Sequence, residues 1–149
     1  METPIGQRPG PGFEYQSPLS AHANRELIVL GPIALGAVGA AAGDILSVAN
    51  PVGATVMAKL IIDRTTASTG ASTCDFGIAA NGTTLNDTLL DGLDTGATAA
   101  VASSDDTVNN GTNGLPWRKW TSTQFVTGSE ASGDTTGMVG NAYIHYFVV

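Results

Sequence analysis

The sequence has one cysteine, Cys74, which excludes an intrachain disulfide and a zinc site built from cysteines. Charge is scarce as well. Asp, Glu, Lys and Arg make up 13% of the 149 residues, against about 25% in an ordinary soluble domain. Basic residues are scarcest: 6 Lys and Arg stand against 13 Asp and Glu, for a net charge of −7. Such a chain is badly suited to phosphate backbones and to anionic membrane surfaces, so neither nucleic acid nor membrane is an expected partner. Long apolar runs are missing too. The most apolar stretch, Leu27 to Ala42, is broken by Gly31, Pro32, Gly36 and Gly39 and is too short to span a bilayer. The opening residues, METPIGQRPGPGFEY, lack the basic start and apolar segment of a secretory signal. A soluble protein made in the cytoplasm is expected.

What the chain does have is β-strand patterning. In VMAKLIID, Val56, Ala58, Leu60 and Ile62 fall on one face and Met57, Lys59, Ile61 and Asp63 on the other. After a Ser/Thr/Gly turn, Cys74, Phe76, Ile78 and Ala80 repeat the alternation. Period two bounded by turn residues is a strand signal, and the β-branched and glycine content argues against helix. Further strands are expected over Glu26–Ile33, Asp44–Ala49, Ala97–Ala102 and Gln124–Thr127. Asn50-Pro51 and Asn81-Gly82 mark turns, and a third turn is expected over Glu130–Gly137. The run Asp87–Gly96, with Leu89, Leu90 and Leu93 between carboxylates, reads as a short helix or an irregular connection plugging one end of the core. In the last strand, Met138 to Val149, Ala142, Ile144, Tyr146 and Val148 share one face and Tyr143, His145, Phe147 and Val149 the other. Both faces carry bulk, so this strand is expected to be central or covered on both sides. Seven to nine short strands with frequent turns predict an all-β domain, a jelly roll or β-sandwich, over residues 25–149.

Residues 1–24 differ. Pro4, Pro9, Pro11 and Pro18, with Gly6, Gly10 and Gly12, prevent regular structure and predict an extended N-terminal arm. Phe13 and Tyr15 within it read either as anchors to a body or as part of a disordered end.

Catalytic patterns are not visible. No serine lies in a G-x-S-x-G elbow, and no nucleophile, base and orienter stand together. Cys74 reads as a small buried residue, with a reactive thiol as the rival reading. His22 and His145 have no Cys or second His at ligand spacing, and His145 reads as a packed or interface residue. Asp87, Asp91 and Asp94 have suggestive spacing but no following bidentate Glu, so solvated carboxylates are expected rather than a metal site. A carboxylate pair of glycosidase type, drawing on Asp91 or Asp94, is the enzymatic alternative. Trp117, Arg118 and Trp120 in WRKW are of the types that dominate protein interfaces, so they are candidate body contacts or core-edge packing.

The segments Lys59–Ala80, Asp87–Gly96, Asn109–Gly114 and Phe125–Tyr146 together resemble small virion proteins of tailed bacteriophages, the capsid decoration or cement proteins. The resemblance covers roughly residues 26–149. It implies a non-enzymatic structural protein without cofactor that binds the outer surface of a phage capsid. Its partners would be the major capsid protein and further copies of itself in a homotrimer. It also implies that the arm makes contacts, with Phe13 and Tyr15 as anchors. Another virion component, such as a head fibre, tail or baseplate protein binding a host surface or glycan, is the alternative.

Overall fold

Alternation decides the first long strand. Val56, Ala58, Leu60 and Ile62 are fully buried, while Met57, Lys59, Ile61 and Asp63 between them are half-buried. The computed structural model describes residues 26–36, 43–96, 101–105 and 115–149. The expected arm, with Phe13 and Tyr15, lies outside these residues, as does most of the polar stretch after Ser103. Among the described residues there is no helix and there are nine strands: β1 (Ile28–Ala34), β2 (Leu46–Ala49), β3 (Val56–Thr66), β4 (Thr73–Ala79), β5 (Leu90–Asp94), β6 (Val101–Ser103), β7 (Arg118–Trp120), β8 (Phe125–Ser132) and β9 (Val139–Val148).

The strands form two antiparallel sheets. One has the order β1-β9-β3-β6, with β7 also on β3; the other has the order β2-β8-β4-β5. Strand β6 pairs with β3 at Ile61–Asp63 and β7 pairs with it at Val56–Ala58, so the two share one lane as an interrupted edge strand. Counting them as one, first pairs with last, second with second-to-last, and so inward. This is a long hairpin rolled up on itself, the order of a jelly roll. The expected all-β sandwich is thus what the chain forms. The inner faces meet in one core, with Leu60 and Ile144 from the first sheet and Phe76 and Val126 from the second.

Strands β3 and β4 are joined by the expected turn, which carries the chain from one sheet to the other. There Ser68 and Ser72 are buried and hydrogen-bonded to each other at 2.9 Å. The leucine-rich run is neither helix nor plug. It is edge strand β5, in which Leu93 faces Cys74 and Leu90 faces Phe76. Three residues of β5 thus span two of β4. Gly92, at φ +65°, absorbs the extra residue as a β-bulge does. The bulge turns both leucines inward at a spacing of three, which imitates the period of a helix. Strand β8 also runs further than expected, through Glu130 to Ser132. The turn begins only at Gly133. The Glu130 carboxylate closes it by accepting hydrogen bonds from Thr135 N–H at 3.0 Å and its hydroxyl at 3.1 Å.

Candidate interaction face

The outer faces of the two sheets differ. On the β2-β8-β4-β5 sheet the outward residues are mostly small or polar, such as Ser47, Thr127, Ser129 and Gly77, with half-buried Phe125 at the end of the β8 row. The chain's own segment after β4 lies against it. Thr127 Oγ1 donates to Thr84 O at 3.0 Å, and the Ile78 N–H donates to Thr88 Oγ1 at 3.1 Å. Asn86 passes so near Gly77 that a Cβ there would lie 2.1 Å from Asn86 Oδ1. Glycine is therefore required at 77 for the cover to close.

The outer face of the β1-β9-β3-β6 sheet carries bulk. Register places Met57 beside Phe147, Lys59 beside His145, Ile61 beside Tyr143 and Asp63 beside Asn141. All eight are half-buried. Val29, Val101 and Val139 continue the face and are more than half exposed, at 51%, 64% and 55%. At one end the Trp117 ring packs on Phe147 with centroids 5.3 Å apart and planes tilted by 56°. Lys59 Nζ stands 5.8 Å from the centre of the indole and 2.7 Å from the Asp105 carboxylate. Hydrogen bonds from Lys59 and then Ser103 hold the Asp105 carboxyl below its usual range. Lys119 lies beside Met57, so both lysines of the chain are on this face. With Asp63 and Asp105 they leave it close to electrically balanced in a chain of net charge −7.

The three expected body contacts fare differently. Trp117 is at the surface of this face. Trp120 is fully buried; its indole N–H donates to Gln124 O at 2.9 Å and its ring meets Tyr146 edge-on at 6.4 Å. It is a core residue and offers no side-chain surface to a partner. The alternation of β7 explains this, because Trp120 sits opposite inward-facing Val56. Arg118, opposite inward-facing Ala58, reaches away from the face and donates through Nε to Thr88 O at 2.9 Å. It ties β7 to the segment that covers the other sheet.

The remaining chemical candidates have structural settings. Cys74 is buried, and burial first, then the nearby charges of Glu130 and Asp75, push its thiol up to about 12. A thiol so far from ionisation is a poor nucleophile. Asp75 is also raised, by burial above all and then by Asp91 and Asp87, while the Gly92 N–H donating to it at 2.8 Å opposes the shift. Among the described residues no three His, Cys, Asp or Glu side chains are grouped to hold a metal ion. No described helix is long and apolar enough to cross a membrane.

What sequence reasoning missed was the weight of the outward row Met57, Lys59, Ile61 and Asp63. The signal was there: β9 carries bulk on both faces, and its neighbour β3 does as well. Compared with family models, with curated proteins and with solved structures, the chain shows no match.

Proposed function

We propose that this protein is a non-enzymatic virion component that binds the outer surface of a phage capsid and stabilises the shell. The observation that carries the reading is an open sheet face of aromatic and aliphatic side chains on a charge-poor body, beside the strand into which the proline- and glycine-rich residues 1–24 lead. Leu27 and Val29, where that segment meets β1, are each 51% exposed. A small sandwich with such a face, preceded in sequence by a proline- and glycine-rich segment, suits a protein that ties neighbours together. Binding only the mature shell would favour that shell by mass action, and many identical contacts would add through multivalency. The resemblance to decoration proteins supports the major capsid protein as partner and the outer capsid surface as location.

The glycan-binding alternative has less support. A sugar platform wants an aromatic ring open on one flat side, whereas Trp117 has Lys59 over its ring and Phe147 tilted against it.

The test is co-sedimentation of the purified chain with decoration-free, expanded capsids. Saturable binding at a fixed ratio to the major capsid protein is the expected result. No binding to either expanded or unexpanded shells would overturn the reading.

A further inference from the structure

We infer that the open face of the β1-β9-β3-β6 sheet docks a second copy of this chain, through a two-fold axis that crosses the strands at Ile61 and Tyr143. The inference does not depend on shell binding.

Three observations converge. The first is charge. The outward row of β3 reads Met57, Lys59, Ile61, Asp63, and the row beside it on β9 reads Phe147, His145, Tyr143, Asn141. Lys59 and Asp63 lie at equal distances on either side of Ile61. A two-fold axis in the plane of the interface, running across the strands through Ile61, reverses each row and preserves the lanes. Lys59 of one copy then stands over Asp63 of the other, twice. Ile61 and Tyr143 meet their own copies at the axis, as a two-fold contact requires.

The second is the field of the whole chain. Two copies with net charge −7 repel. The electrically balanced face, holding both lysines, is where they meet at least electrostatic cost.

The third is size. Ten residues of β9 span about 34 Å, and four strand lanes span about 19 Å. The outer lanes are shorter, with 7 residues in β1 and 3 each in β6 and β7, so each copy offers roughly 550 Å², and a pair buries about 1,100 Å², just above the ~1,000 Å² that a specific interface needs. Sheets packed this way lie within about 30° of parallel, which keeps the paired rows in reach. Exposed Val101 and Val139 fall inside the covered area.

Sedimentation equilibrium of the full chain, with circular dichroism to confirm folding, tests the inference. Twice the 15.1 kDa of one chain is the expected mass. D63K and K59D, each alone, place like charges together at both symmetric positions and should weaken pairing at least about tenfold. Mixed one to one, they restore both ion pairs and should form a heterodimer, a rescue that no merely structural role of either residue gives. A monomer at about 100 μM, a mass three times that of one chain, or a mixture that stays monomeric overturns the inference. So does a full-length monomer that pairs only once residues 1–24 are removed, because the arm would then be what covers the face. Dimerisation without capsid binding would leave this inference standing and sink the shell-binding one.

Discussion

Lys59 on β3 and Asp105, just beyond β6, meet at 2.7 Å. The carboxyl is held below its usual range mainly by the hydrogen bond from that lysine. The fold therefore gains from this pair above the unfolded carboxyl's ordinary value, ~3.9, and loses the gain as pH falls through the folded value. Asp105 is exposed, so the gain is small, about 0–1 kcal/mol. D105N should unfold slightly more easily than the wild type at pH 7, and the difference should be smaller at pH 3, below the unfolded carboxyl's ~3.9. Urea unfolding at the two pH values checks this; an equal difference at both would exclude the pair as its source.

The two tryptophans of WRKW should separate cleanly. Trp120 fills the core and Trp117 lies on the face. W120A should cost about 3–5 kcal/mol of stability. W117A, at a half-buried position, should cost about 1 kcal/mol or less. Denaturant midpoints measure both. The contrast fails if W117A proves as costly as W120A.

Burial of Cys74 makes two expectations. The native thiol should resist alkylation at pH 8 and react only as the domain opens. Because the folded thiol is pushed up to about 12 while the unfolded one titrates near ~8.5, the unfolded state binds fewer protons above that pH. Stability should therefore fall as pH rises beyond about 8.5, and C74A should lack that component. Rapid labelling of the folded protein would contradict the first expectation, and identical alkaline profiles would contradict the second.

Deleting residues 1–20 should leave the sandwich folded and weaken capsid binding, measured by co-sedimentation beside the full chain. Among the described residues the strands begin at Ile28 and the buried core is built from residues further along, so thermal unfolding should change little. Unchanged capsid affinity in the truncated chain would remove the arm from the proposed contact.

Much of this fold could be read from the residues. The alternation at Val56–Ile62 and Ala142–Tyr146 assigns faces that the sheets then bury, and the bulk on both sides of β9 anticipates its central place. Periodicity misleads where the backbone departs from a flat strand. Leu90 and Leu93 imitate a helix because Gly92 carries a bulge. Trp120 looks like a contact residue until β7 is in register with Val56. The candidate interaction face was the hardest to read, because it is assembled from β3, β9 and the segment around Trp117. Lys59 meets Asp105 and Trp117 only after the chain has rolled up.

That rolling places β9, the last of the described strands, between β1 and β3. Ile28 and Tyr146, far apart in sequence, are register partners. Among the described strands β1 pairs with β9 alone, so the first sheet is complete only once β9 is in place. Contacts between such distant residues slow folding. They also make β9 a precondition for the outer face: without it the row Asn141, Tyr143, His145 and Phe147 is missing and β1 has lost its register partner.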